Sequence, residues 1–182
     1  MSKSPAPTPD PAAASAHPDV AGLIVLAARL GLTVATAESC TGGMVAAALT
    51  DVPGSSAVLD RGFVTYSNRA KQEMLGVSEE TLAAFGAVSE DVAQEMCEGA
   101  LRRAGVDLAV SITGIAGPGG SEHKPEGRVC FGLARTGQPA MVETIDFGAL
   151  GRETVRAKSC AHALLLLEKA ALQVERDLGK TP

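Results

Sequence analysis

At 182 residues the chain has room for one domain of ordinary size, and 16 basic against 21 acidic side chains leave a formal charge of −5. With no basic run and only five aromatics (Phe63, Tyr66, Phe85, Phe131 and Phe147), it lacks the clustered Lys and Arg of a nucleic-acid surface, so no nucleic-acid partner is expected. No apolar run reaches the roughly 20 residues a bilayer requires, and the longest candidate is broken by Arg29 and Gly31, so no membrane partner is expected either.

The opening "MSKSPAPTPDPAAASAHPD" offers almost nothing to bury, and residues 1–18 read as a disordered Pro/Ala-rich tail before a single domain over 19–182. It is not a secretory signal, because no apolar stretch follows Lys3. "DVAGLIVLAARLG" carries apolar residues at helical spacing and stops at Gly31. "LTVATA" is a short strand, and Thr41, Gly42 and Gly43 open a helix, "MVAAALT", that ends before the turn "DVPGSS". "AVLDRGFVTYS" reads as an extended strand, and Asn68 is placed to cap the helix "RAKQEML", closed by Gly76. Ser78 caps "EETLAAF", and Ser89 caps "EDVAQEMCEGALRRA", which ends at Gly105.

"DLAVSIT" is a strand that runs into the glycine-rich loop "GIAGPGGSEHKPEG". "RVCFGLA" and "AMVETIDF" are two further strands, neighbours in the sheet. A long helix over about Arg152 to Leu178 closes the chain, with Cys160, Leu164, Leu167, Ala171, Val174 and Leu178 in one apolar stripe. Strands interleaved with helices predict an α/β fold, a three-layer α/β/α sandwich around a mostly parallel, mixed sheet. Ligands gather at the carboxyl ends of strands in such folds, so the loops after "LTVATA", "FVTYS" and "AVSIT" are the candidate site.

"TAESCTGG", residues 36–43, has two readings. Ser39 or Thr41 is either a helix N-cap, or Ser39 is a nucleophile with the N–H groups of Thr41, Gly42 and Gly43 ready for an anion. Cys40 competes for the role, but neighbours in an extended chain point opposite ways, and a small buried thiol is the commoner fate. A serine needs a base, and His17, His123 and His162 do not form a triad pattern. Lys71, one turn into its helix, is the remaining base, effective if burial keeps it neutral, and Tyr66 is placed to orient the proton. Taken singly, each reads first as an ordinary helix or strand residue.

Thr113, Gly114 and Gly117 present a third loop to phosphate or carbonyl oxygens, without the ending of a P-loop. Arg152 and Arg156, one turn apart, suit a phosphate or merely a helix surface. The four cysteines, Cys40, Cys97, Cys130 and Cys160, form no CxxC pair, which predicts reduced thiols in a cytoplasmic protein and no bound metal.

"TAESCTGG", "GSSAVLDRGFVTYSNRAK", "GAVSE" and "VSITGIAGPGGSEHKPEG" together resemble the CinA C-terminal domain family over about residues 20–178. The resemblance implies the stand-alone form of that domain, a nicotinamide-nucleotide amidase that converts nicotinamide mononucleotide to nicotinate mononucleotide and ammonia in pyridine-nucleotide recycling, with no cofactor. It implies Ser39 as nucleophile, Lys71 as general base with Tyr66 beside it, Thr113 bordering the substrate, and Arg156 on its phosphate with Arg152 as fallback. Family habit also implies a homo-oligomer. The alternative is a non-catalytic nucleotide-binding module linked to competence or DNA damage.

Overall fold

The structure, a computed structural model, describes residues 18–121 and 123–179, so all but the last residue of the expected tail lies outside the described residues. The elements run α1 (Val20–Leu30), β1 (Val34–Glu38), α2 (Met44–Thr50), β2 (Leu59–Val64), α3 (Asn68–Ala70) continued by a π-helical turn (Lys71–Leu75), α4 (Glu79–Phe85), α5 (Glu90–Ala104), β3 (Leu108–Gly114), β4 (Arg128–Arg135), β5 (Met141–Asp146) and α6 (Arg152–Leu178). Local chemistry marks most boundaries. The side chains of Asp19, Ser78 and Ser89 accept from the first-turn amides of α1, α4 and α5, and Gly31, Gly76 and Gly105 close their helices in the left-handed region. The cap of α3 is Ser67, not Asn68: its Oγ accepts from the Ala70 amide at 3.1 Å.

The sheet order is β2-β1-β3-β4-β5. β1 pairs in parallel with β2 and β3, whereas β3–β4 and β4–β5 are antiparallel, so only β4 opposes the common strand direction. Central strands β1 and β3 are buried on both faces, as continuous apolar runs demand. Their alternation separates two cores. Val34, Leu108, Val110 and Ile112 face α1, α2 and α6, while Ala35, Ala37 and Ala109 face α5 and the turn at Leu75 and Val77. The expected stripe of α6 is buried from Cys160 to Val174, but Leu178 is exposed.

Two small-residue positions set the geometry near the site. Gly42 and Gly43, with φ of 62° and 99°, reverse the chain from β1 into α2 through conformations that side chains disfavour. Gly99 of α5 lies against the π-helical turn so tightly that a Cβ there would meet the Leu75 carbonyl oxygen at 2.0 Å. Because β1, β2 and β3 are parallel, the loops that follow them open at one edge of the sheet.

Candidate active site

Ser39 directly follows β1, and its amide extends the ladder by donating to the Ile112 carbonyl at 2.9 Å. Lys71 opens the π-helical turn after β2 and reaches the same edge from the α5 side. Its Nζ donates to Ser39 Oγ at 3.0 Å and to the Thr65 carbonyl at 2.8 Å. Lys71 is 1% exposed, among the largest fully buried side chains of the fold, and no carboxylate is within ion-pair distance among the described residues. Burial therefore lowers its pKa from 10.5 to about 8, with the neighbouring Cys40 pulling weakly the other way. Nζ thus has two oxygens in reach, the Thr65 carbonyl and the Ser39 hydroxyl, and once it loses a proton its lone pair can turn to the hydroxyl. That pairing is what a serine needs to lose its proton.

Cys40 lies beside this pair, but burial pushes its thiol up to about 11, outweighing the local backbone, Lys71 and Arg156. It is a buried thiol rather than a ready thiolate. The other three cysteines are also free and buried.

Of the N–H groups foreseen for an anion, those of Gly42 and Gly43 are spent elsewhere. The Gly43 amide donates to Glu38 Oε2 at 3.0 Å, and the Gly42 amide donates to the Ser39 carbonyl at 3.0 Å. Among the described residues no hydrogen bond to another residue engages the amides of Cys40 and Thr41, so these are the donors left beside Ser39. The cap of α2 is neither Ser39 nor Thr41. Glu38, fully buried at the end of β1, supplies it. Thr41 is itself buried, and its Oγ1 and that of Thr65 have no partner among the described residues.

Tyr66 follows Thr65, whose carbonyl Lys71 holds, and turns its ring outward. It is 59% exposed, and its hydroxyl accepts from Arg152 Nη2 at 2.7 Å. Strand alternation explains this, because Thr65 points in and its neighbour must point out. Arg156 Nε donates to the Cys40 carbonyl at 3.0 Å and its Nη2 to the Thr41 carbonyl at 3.1 Å, so it braces the loop that carries Ser39. Arg152, exposed at the first turn of α6, also donates to the Gly117 carbonyl at 3.0 Å and thereby links Tyr66 to the glycine-rich loop.

Thr113 is buried with its hydroxyl donating to the Ala87 carbonyl at 2.7 Å, which ties the start of the third loop to the α4–α5 connection. Gly114 ends β3 opposite Val129. His162 pairs with Glu143 at 2.5 Å and stacks near Phe131, 4.6 Å between centroids, so it is a packing residue as its position suggested; His17 lies outside the described residues. A groove of about 1030 Å³ lined by Leu133, Pro139, Met141, Leu166 and Ala170 lies at the opposite edge of the sheet and holds none of these groups.

The CinA C-terminal domain model matches residues 20–171. The chain belongs to the CinA C-terminal domain family. It is 55% identical to the nicotinamide-nucleotide amidohydrolase PncC of Escherichia coli K12 over 144 residues, covering 79% of this chain and 87% of that protein. It is 58% identical to a CinA-like protein of Chlorobium phaeobacteroides over 124 residues, 66% of this chain but only 30% of that protein. The chain thus spans about a third of the length of such CinA-like relatives. A crystal structure of the competence/damage inducible protein CihA from Agrobacterium tumefaciens superposes with a TM-score of 0.79 at 48% identity, covering 84% of this chain and 96% of that one.

Glu38 and the Thr65 carbonyl were not singled out from the sequence. Glu38 left a signal: it shares strand parity with Val34 and Thr36, which marks it as a carboxylate turned into a core.

Proposed function

We propose that the chain hydrolyses the carboxamide of nicotinamide mononucleotide to nicotinate mononucleotide and ammonia through a Ser39–Lys71 dyad. The observation that carries this reading is the buried Lys71 amine 3.0 Å from Ser39 Oγ, in a chain 55% identical to a protein named for that activity. Neutral Lys71 takes the Ser39 proton as Oγ attacks the amide carbon. The oxygen that becomes negative is received by the free amides of Cys40 and Thr41, each such donor contributing on the order of 3 kcal/mol when well aimed. The Lys71 ammonium returns its proton to the departing nitrogen, and ammonia leaves as the C–N bond breaks. Water, deprotonated by Lys71, then cleaves the ester on Ser39 and restores the hydroxyl. The cationic pyridinium ring makes the carbonyl electrophilic enough for a dyad without a third member.

Arg152 takes over the phosphate role first expected of Arg156. It is exposed beside Tyr66 and Gly117, while Arg156 is engaged by two carbonyls of the serine loop. Gly42 and Thr113 support the loops, Gly114 carries β3 into the third loop, and Gly117 lies on the side nearest Arg152. The reading implies pyridine-nucleotide recycling in the cytoplasm and a homo-oligomeric assembly, which sedimentation would measure. An ammonia-release assay over nicotinamide mononucleotide, nicotinamide, nicotinamide riboside and unrelated amides tests the substrate. Release from the mononucleotide alone is expected. Saturable nucleotide binding by calorimetry with no product would transfer the case to the regulatory-module reading.

A further inference from the structure

We infer that Glu38 is a positioning residue that holds Ser39 in its reactive place by locking the end of β1 to the start of α2; this rests on the reading of Ser39 as nucleophile. The fully buried carboxylate reaches across the bend in both directions. Its Oε2 accepts from the amides of Gly43 at 3.0 Å and Val45 at 3.1 Å, and its Oε1 from the Ala46 amide at 3.0 Å and the Thr36 hydroxyl at 3.1 Å. A buried carboxylate is costly unless donors surround it, and here four do.

An ordinary cap comes from the residue at the helix boundary and fixes only the helix. Glu38 instead belongs to the preceding strand, whose own backbone is pinned on both sides: its carbonyl accepts from the Thr65 amide at 2.8 Å, and the next amide, of Ser39, donates to Ile112 at 2.9 Å. Residues 39–43 therefore form a short bridge whose two ends are joined through one side chain. Arg156 braces the outer side of that bridge at the Cys40 and Thr41 carbonyls. Thr65 completes the connection, because the residue whose amide meets the Glu38 backbone also offers its carbonyl to Lys71. Nucleophile and base are thus referred to one rigid point, and catalytic geometry tolerates errors of only about half an ångström. Glu38 also saturates the positive end of α2, so negative charge that develops on the substrate is left to the Cys40 and Thr41 amides.

The test compares wild type, Glu38→Gln and Thr36→Val. Glutamine keeps the shape but turns an NH2 group toward backbone N–H donors, and valine removes only the Thr36 hydroxyl from Oε1. Three quantities are read per folded molecule: labelling of Ser39 by a fluorophosphonate, followed by intact mass; kcat and KM for ammonia release from nicotinamide mononucleotide; and denaturation midpoint. Glu38→Gln is expected to slow both labelling and kcat at least tenfold with KM within about threefold, and Thr36→Val to slow them two- to fivefold. Wild-type labelling in both variants, whatever their midpoints, makes Glu38 a helix cap only and overturns the proposal. If Glu38→Gln does not fold, the labelling ratio of Thr36→Val decides. Wild type that labels at Ser39 but releases no ammonia removes the substrate reading while the labelling ratios still judge Glu38. Wild type that neither labels nor turns over removes both.

Discussion

Replacing Lys71 by methionine keeps an unbranched side chain one atom shorter and deletes the buried amine. Activity should fall to background, since a positioned general base supplies about 10²–10⁴-fold. Stability should not fall with it. Lowering the pKa from 10.5 to about 8 means that burying this group costs the fold about 3 kcal/mol at neutral pH. Against that stand the lost bonds to Ser39 Oγ and the Thr65 carbonyl, worth about 1–3 kcal/mol if those groups are left unpaired. The variant should therefore equal or exceed wild type by up to about 2 kcal/mol at pH 7.

The pH dependence isolates the cause. Between about pH 8 and 10.5 the unfolded chain holds a proton on Lys71 that the native state has released, so this group's contribution to stability rises with pH across that window. Cys40, Cys97 and Cys160, pushed up by burial to about 11, 12 and 11, act oppositely: their contribution is lost as pH climbs past the ordinary thiol value. Cys97 and Cys160 are common to both proteins and cancel in the difference, and Cys40 cancels apart from its charge coupling to Lys71. The advantage of Lys71→Met should shrink by about 2 kcal/mol from pH 7 to pH 10. The chain has no tryptophan, so guanidinium denaturation followed by far-ultraviolet circular dichroism is the assay. A variant destabilised by more than about 2 kcal/mol at pH 7, or a difference that does not change with pH, would refute an amine whose burial lowers its pKa.

The same titration should govern turnover: kcat/KM rises about tenfold per pH unit below about 8 and levels above it, as pH–rate profiles will show, whereas a plateau reaching below pH 7 contradicts a lysine base. Tyr66→Phe should leave kcat within about threefold and act on KM, because its hydroxyl lies on Arg152; a hundredfold loss in kcat would return it to the proton path. Gly99→Ala should cost at least about 2 kcal/mol in denaturation and lower kcat at least tenfold, since its methyl would push the turn that carries Lys71; near wild-type values would show that the turn adjusts freely.

The architecture was legible because central strands and capped helices announce themselves locally. β1 and β3 are short continuous runs of small and apolar residues, and Ser78 and Ser89 stand directly before apolar-periodic segments. Ser39 and Lys71 were legible as candidates because each stands in or just after a loop that follows a strand, but as a pair they rested on the resemblance to the CinA C-terminal domain family; the fold brings them to 3.0 Å. What escaped depended on contacts distant in sequence. The π-helical turn at Lys71 is shaped by the approach of Gly99, 28 positions further on, and nothing in "RAKQEML" signals it. The brace that Arg156 forms escaped as well, because spacing gives the face of α6 it occupies and not the carbonyls of Cys40 and Thr41 that it meets. Asn68 and Ser67 are both good caps, and only the backbone decides between adjacent candidates.

The most direct measurement compares ammonia release from nicotinamide mononucleotide by wild type and Ser39→Ala at pH 8.5, each verified as folded. The account predicts one ammonia per mononucleotide consumed by the wild type and a rate at least about a thousandfold lower in the variant. A variant that retains a tenth or more of the wild-type rate would mean that the hydroxyl beside Lys71 is not the attacking group.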